Sequence, residues 1–184
     1  MRRAAGFTLL EVLIALLVLA CGLIGGTAMQ LHAMRTRHES ALLSSAVQIA
    51  ATMADRIRAN AARADAAYVG TDYDAYAEPA PALPPSLCQA EPCDRDRLAR
   101  LDIYELKRQV RGSLPAGRAR VCHDADAVDG GKLRWACSGS ANAPIVVKIG
   151  WRGKNPDGTP QADGDGFVAG VAIAVAVPVA GVAR

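Results

Sequence analysis

A long apolar run near the start of the chain, from Phe7 to Gly26, limits what this sequence can fold into. Glu11 is the only charged residue within it, and a short basic leader, Met1–Ala5, precedes it. About 20 residues in a helix span roughly 30 Å, the thickness of the hydrocarbon core of a bilayer. Basic residues beside such a segment favour retention of that end in the cytoplasm. The run therefore predicts a membrane-spanning helix, followed by an exported head.

Other kinds of N-terminal segment compete with this interpretation. An ordinary cleaved signal peptide has a shorter apolar core that ends in a small-residue cleavage site. Here the run is long, and the segment Leu19–Gly26 matches such a site only in part. Leu19-Ala20-Cys21 also resembles the lipobox that precedes a lipidated cysteine. A plain membrane anchor is the remaining alternative.

The residues leading to Glu11 form a specific motif, Gly6-Phe7-Thr8-Leu9-Leu10-Glu11. The motif resembles the class III signal of type IV pilins and pseudopilins, in which a dedicated peptidase cuts after the glycine and methylates the new terminal amine. Followed as far as Leu19, the sequence resembles the start of minor pilins of the PilV type, also called type IV pilus modification proteins. This resemblance implies cleavage between Gly6 and Phe7, N-methylation of Phe7, and contact between Glu11 and the Phe7 amine of a neighbouring subunit.

The same resemblance implies a non-catalytic structural subunit without a cofactor, which takes part in initiation and assembly of the type IV pilus. Its expected partners are a prepilin peptidase, other minor pilins, the major pilin, inner-membrane lipid and a tip adhesin. It would cross the bacterial inner membrane once, with the head in the periplasm, and then enter the pilus or its tip. A minor pseudopilin of type II secretion starts in much the same way and remains an alternative. A membrane-anchored or secreted, disulfide-bonded hydrolase is an alternative of another class.

Beyond the leader (residues 1–6) and the apolar segment (7–26), the pattern divides the chain into an amphipathic helix (27–68) and a head (69–184). Apolar residues recur at helical spacing from Leu31 through Met53 to Ile57, and no proline or glycine interrupts Thr27–Tyr68. This periodicity predicts one long helix that continues the membrane segment and packs its apolar stripe on the head.

The head sequence predicts an α+β domain with the layout of a type IV pilin. Val69–Ser86, rich in proline, is expected to be an extended surface loop. Asp94 is placed to cap a helix from Arg95 to about Arg111, which Gly112 and Pro115 would end. Four strands are predicted to follow and to form an antiparallel sheet: Ala119–His123, Lys132–Cys137, Ile145–Arg152 and Phe167–Val177.

Five cysteines are present, and one of them, Cys21, lies in the apolar segment as a small apolar residue. The other four lie in the presumed exported head, and their even number predicts two disulfides. Three pairings are possible, and we favour a tight Cys88–Cys93 loop with Cys122–Cys137 across neighbouring strands. A four-cysteine zinc site is the alternative, although the spacings are not those of paired C-x-x-C motifs.

The charge of the head argues against a nucleic-acid partner. From residue 67 onward the chain has 14 basic and 14 acidic residues, so the head is neutral, and we expect no nucleic acid among its partners. His123 lies beside Asp124 and Asp126, but neither a serine-hydrolase nor a zinc-protease motif accompanies it. The segment that contains Asp157, Asp163 and Asp165 is rich in oxygen ligands and is predicted to be an acidic hairpin turn. A calcium site at these residues is the alternative, and it would fit a metal-dependent adhesin head.

Overall fold

A computed structural model describes residues 8–89, 92–130, 132–140, 142–153 and 167–175. The chain falls into two compact units, Met1–Ala41 and Leu42–Arg184. The first unit contains the start of helix α1 (Leu9–Ala59), a helix of 51 residues. The second unit contains the end of α1, a second helix and an antiparallel sheet. The predicted α+β class, a long N-terminal helix packed on a small antiparallel sheet, is confirmed.

Helix α1 is shorter than the sequence predicts. The prediction of an unbroken helix as far as Tyr68 is wrong, because α1 ends at Ala59 and is followed by a 3-10 turn (Ala61–Arg63) and a π-helical turn (Ala64–Tyr68). Asn60 explains the break. Its buried side-chain amide donates to the Tyr68 hydroxyl at 3.1 Å and to the Arg95 carbonyl at 2.8 Å. An amide held by such distant partners fixes its own backbone, here at φ −112°, ψ 36°, outside the helical geometry.

The second helix, α2 (Arg95–Ser113), begins where the sequence predicts. The Asp94 carboxylate caps it by accepting from the Arg97 backbone N–H at 2.7 Å. The helix runs two residues beyond the predicted end, so that Gly112 lies inside its last turn and the chain leaves the helix at Leu114.

In the described residues the sheet has six strands rather than the four predicted. They are β1 (Asp72–Asp74), β2 (Arg118–His123), β3 (Val128–Asp129), β4 (Lys132–Arg134), β5 (Ile145–Trp151) and β6 (Phe167–Val175). Their order across the sheet is β1-β2-β5-β6-β4-β3, and every neighbouring pair is antiparallel. Strands β2, β4, β5 and β6 match predicted strands, although β4 ends at Arg134 instead of Cys137.

Strand β1 lies in the segment expected to be a surface loop. Its short Asp-Tyr-Asp sequence has no apolar alternation to reveal it. Tyr73 is only 1% exposed and pairs with Ala119 of β2. The Asp74 carboxylate accepts two bonds from the Arg152 guanidinium, at 2.7 and 2.8 Å, which ties this edge strand to the end of β5. Contacts with residues far along the chain therefore create this strand.

A single cluster of buried side chains joins the end of α1, α2 and the sheet. From α1 it takes one helical stripe: Ala46, Ile49, Ala50, Met53, Ala54 and Ile57. From the sheet it takes Val121, Val147 and Ile149, and from α2 it takes Leu106 and Val110. Burying each large aliphatic side chain contributes about 1.5–3 kcal/mol. The part of the predicted stripe from Ala46 to Ile57 thus holds α1 in the head, whereas Leu31, where the predicted stripe begins, is exposed.

We expect Ile57→Ala to lower the free energy of unfolding by about 2–5 kcal/mol, because the side chain is completely buried and would leave a cavity. Urea unfolding in detergent micelles, followed by the fluorescence of Trp135 and Trp151, measures the change. Leu43→Ala on the same helix is the control. Its side chain is 47% exposed, so we expect a change within about 0.5 kcal/mol. Equal losses in the two variants would contradict this assignment of the core.

Candidate functional site

Glu11, the predicted assembly carboxylate, lies in the first turn of α1. Thr8 begins this turn, since its carbonyl accepts from the backbone N–H of Glu11 at 3.1 Å and from that of Val12 at 3.3 Å. The Glu11 N–H also faces the Thr8 hydroxyl oxygen at 3.3 Å. The Glu11 side chain is exposed. The predicted cleavage site, Gly6 and Phe7, lies outside the described residues.

The surface around Glu11 is strongly apolar. In this unit the described side chains from Thr8 to Ala41 are all exposed, including Leu10, Leu13 and Ile14. The most apolar window of α1 has a mean hydropathy of 2.5 and none of it is buried, so by length and composition the helix is able to cross a membrane. An exposed apolar surface of this extent is typical of a segment that lipid or other apolar helices cover.

The two parts of the chain that carry these features each match a family model. Residues 1–27 match the prokaryotic N-terminal methylation motif, and residues 28–104 match the model described as type IV pilin Tt1218. Over these residues the chain is similar to type IV prepilins. No curated protein and no solved structure matches it.

The methylation motif bears on how this chain is processed and where it is located. It implies processing by a prepilin peptidase and assembly with other pilins. Together with the apolar helix it indicates membrane anchoring and incorporation into pili. Type IV pilins are structural subunits, so the match supports a structural role and gives no sign of catalysis.

The four cysteines of the head form two disulfides, Cys88–Cys93 and Cys122–Cys137. This is the pairing that the sequence analysis favours. All four sulfurs are therefore occupied, which leaves no thiolates for the zinc alternative. Cys21 is a free, exposed cysteine of α1.

His123 is not the partner of Asp124 or Asp126 that its sequence neighbours suggest. Its Nε2 lies 2.6 Å from Asp65 Oδ1 in the π-helical turn, and its Nδ1 lies 2.7 Å from the Ala143 carbonyl oxygen. Both acceptors need a proton on the ring, so the pair favours the imidazolium. The Ala143 carbonyl and the Asp65 carboxylate raise the pKa of His123, and they outweigh the opposing effect of partial burial. A charged imidazole with both nitrogens engaged joins two elements and is unsuited to act as a general base.

A buried ion pair, between Lys148 of β5 and Asp124, escaped the sequence analysis. Alternation along β5 predicts that Lys148 faces solvent, whereas it is completely buried. Its Nζ donates to the carbonyls of Arg134 and Ala136, at 2.7 and 2.8 Å, and lies 2.5 Å from Asp124 Oδ2. The two carbonyls take two of the ammonium protons, and Asp124 supplies the counter-ion. In the sequence, the burial of Lys148 is indicated only by its position within an otherwise apolar strand. A strand with one face exposed to solvent would show the same pattern.

Asp124 is equally well held. Its Oδ1 accepts from the backbone N–H groups of Ser138 at 3.0 Å and Asp126 at 3.2 Å. Burial raises the pKa of Asp124, but Lys148 and these backbone donors outweigh it and keep the pKa below its ordinary value. With the adjacent Cys122–Cys137 disulfide, this pair holds the segment after β4 to β2 and β5.

A second polar cluster missed from sequence joins the end of α1 to α2. Asp102 of α2 is buried, and its two carboxylate oxygens accept from Arg56 at 2.8 Å and from the Tyr68 hydroxyl at 2.7 Å. Arg56 also contacts Glu105 at 2.5 Å. Burial, followed by the bond to Asp102, raises the pKa of the Tyr68 hydroxyl, which therefore remains a donor.

The residues proposed for calcium, Asp157, Asp163 and Asp165, lie outside the described residues.

We expect the His123–Asp65 pair to make the stability of the head depend on pH near neutrality. The folded-state pKa of His123 lies above 6.5, so the stabilisation is fully present below pH 6.5 and is lost as pH rises through the folded-state pKa. Asp65 is largely exposed, which limits the effect to about 1 kcal/mol or less. Urea midpoints measured at a series of pH values should show this slope removed by His123→Gln and only reduced by Asp65→Asn, because the Ala143 carbonyl still raises the pKa of His123 in the second variant. The control His38→Gln, on exposed α1, should leave it unchanged, and a flattened slope in that control would refute the assignment.

Lys148→Met should be severely destabilising, by about 3–5 kcal/mol, because it leaves the Asp124 carboxylate buried without a counter-ion. Adding Asp124→Asn removes that charge and should restore a large part of the loss. Urea unfolding of the two single variants and the double variant gives the coupling energy. Strictly additive losses would contradict a buried ion pair.

Proposed function

We propose that this chain is a minor type IV pilin of the PilV type, which takes part in initiation and assembly of the pilus without catalysing a reaction. The observation that carries the proposal is the position of Glu11. It is the single carboxylate of the apolar run Phe7–Gly26, within the residues that match the methylation motif, and it lies one turn beyond the predicted new terminus at Phe7.

The chemistry of that position supplies the mechanism. Cleavage after Gly6 would leave Phe7 with a free or methylated ammonium group. An ammonium or a carboxylate buried alone in an apolar fibre core carries a heavy desolvation cost, whereas the two together neutralise each other. Glu11 of one subunit and Phe7 of its neighbour would therefore pair, and because both occupy fixed positions on the helix, the pair would set the axial register of the incoming subunit.

The head fits the second part of this role. Its two disulfides are those of an exported domain, since such bonds persist in oxidising compartments such as the periplasm. We propose that the prepilin is held in the inner membrane with its head in the periplasm and then enters the pilus or its tip. There the head would contact other minor pilins, the major pilin and a tip adhesin.

A minor pseudopilin of type II secretion is the second candidate, because the methylation motif and the Glu11 position favour it equally. The two candidates differ in where the mature subunit is found. A pilus subunit is recovered in sheared pilus fractions, while a pseudopilin remains with the cell envelope and its loss impairs secretion.

The test compares Glu11→Gln with the parent chain by mass spectrometry of the N-terminal peptide in membrane and sheared-pilus fractions. We expect the parent to carry N-methylated Phe7 in both fractions. The variant should be inserted in the membrane but should fall at least about tenfold in the pilus fraction, because the Phe7 ammonium loses its counter-ion.

Glu39→Gln is the matched control, because Glu39 is another exposed glutamate of α1, outside the apolar run. It should enter pili as the parent does. A parent terminus near Cys21 or Thr27, or an intact Met1, would overturn the pilin assignment. Normal recovery of Glu11→Gln in pili would overturn the role given to Glu11, and a processed parent confined to the membrane would favour the pseudopilin.

A further inference from the structure

The outward face of α2 carries a row of arginines. Arg97, Arg100, Arg108 and Arg111 lie at helical spacings of three, eight and three residues, and Tyr104 occupies the same face between them. Positions three and four apart stand above one another on a helix, so these side chains form one stripe. All four arginines are exposed, and the tyrosine is half-buried.

The acidic residues of α2 lie on its other faces and are already paired. Asp102 and Glu105 bind Arg56, while Asp96 binds Arg63. These pairs connect α2 to the end of α1 and to the turn that follows it. Helix α2 thus has two different faces. The carboxylates of one face form ion pairs within the head, and the stripe on the other face presents arginines and a tyrosine to solvent.

The charge of the outward face is largely unneutralised. Arg97 has one exposed partner, Asp94, at 3.2 Å, and Arg111 donates to backbone carbonyls, which keep its positive charge uncompensated. Within the described part of the chain, no carboxylate lies within ion-pair distance of Arg100 or Arg108. Like charges three or four residues apart destabilise a helix. A bound anion would remove this repulsion.

A cavity of about 370 Å³ lies at one end of the stripe. Arg97 and Arg100 line it on one side, and Pro84, Pro85 and Ser86 line it on the other. Its two guanidinium groups and one hydroxyl are the donors that proteins use to hold a phosphate. The cavity therefore offers a recess beside two of the four arginines in which a phosphate group would fit.

We propose that the outward face of α2 binds the phosphate backbone of double-stranded DNA without sequence preference. The stripe from Arg97 to Arg111 is about 21 Å long, enough to follow roughly six base pairs. Its cations are arginines, whose planar guanidinium matches phosphate oxygens in a bidentate manner. Duplex DNA has the density of negative charge, one per about 1.7 Å, that complements such a row. A single half-buried tyrosine offers little for stacking on single strands.

This proposal departs from the expectation that the head has no nucleic-acid partner. That expectation depends on a net charge of zero, and a net charge averages over surfaces that the fold keeps apart. The proposal is independent of the pilin assignment, because DNA binding is measured on the purified chain and pilus incorporation is measured in cells.

Fluorescence anisotropy of a labelled 30-base-pair duplex, titrated with the full chain in zwitterionic detergent micelles, tests it. Four phosphate contacts predict a slope of about −3.6 in log K against log salt, and a loss of roughly 100-fold between 50 and 200 mM salt. Arg100→Gln/Arg108→Gln removes the two arginines without an ion pair. It should weaken binding at least about tenfold at low salt and reduce the slope to about −1.8.

Arg35→Gln/Arg37→Gln is the charge-matched control, because both residues are exposed arginines of α1 and belong to the first unit, not to the head. It should retain the parent slope and affinity, and far-UV circular dichroism should show all variants folded. Equal losses in the two double variants, or no binding of the parent at 50 mM salt, would overturn the proposal. So would displacement of the duplex by a polyuronate at matched charge, since this result would assign the stripe to that partner instead.

Discussion

The burial of one stripe of α1, from Ala46 to Ile57, is the contact on which the rest of the head depends. Its three alanines are fully buried and allow close approach, while Ile49, Met53 and Ile57 supply the large apolar side chains. The sheet and α2 contribute to the same cluster, so each element buries its apolar face only in the presence of the others. A small domain has few such contacts, and this shared core explains why α1 is part of the head.

Two polar clusters then fix the relative positions of helices and strands that apolar packing alone does not determine. Asp102 gathers Arg56 and Tyr68, and so defines where α1 ends and how α2 lies beside it. Asp124 and Lys148 do the same for the sheet, by holding the segment after β4 against β5. Buried charges of this kind give little net stability, because desolvation offsets their attraction, but an alternative packing that separates the partners is strongly disfavoured. Their role is to select one arrangement of the core.

The two ends of the chain face different physical requirements. The apolar surface of the first unit is suited to lipid and to other apolar helices, and within its apolar run Glu11 is a single charge, for which we propose a partner from another chain. Among the described residues of the head, the buried carboxylates Asp102 and Asp124 have partners inside the head, and exposed arginines lie along the outward face of α2. An assembly subunit needs both properties, since it must be extracted from a membrane while its head remains folded.

The sequence by itself determined the features that depend on neighbouring residues. Hydropathy and the Gly6–Glu11 motif predict the membrane segment and the position of the proposed assembly carboxylate. The Asp94 cap predicts the start of α2. Helical periodicity predicts the buried stripe of α1. The tertiary structure decided the end of α1 at Ala59, the strand around Tyr73, the burial of Lys148 and the pairing of His123 with Asp65. Each of these depends on partners tens of residues away, and local patterns carry no information about which distant groups will meet. For the same reason, the neutral composition of the head does not predict the cationic face of α2, because only the fold decides which charges share a surface.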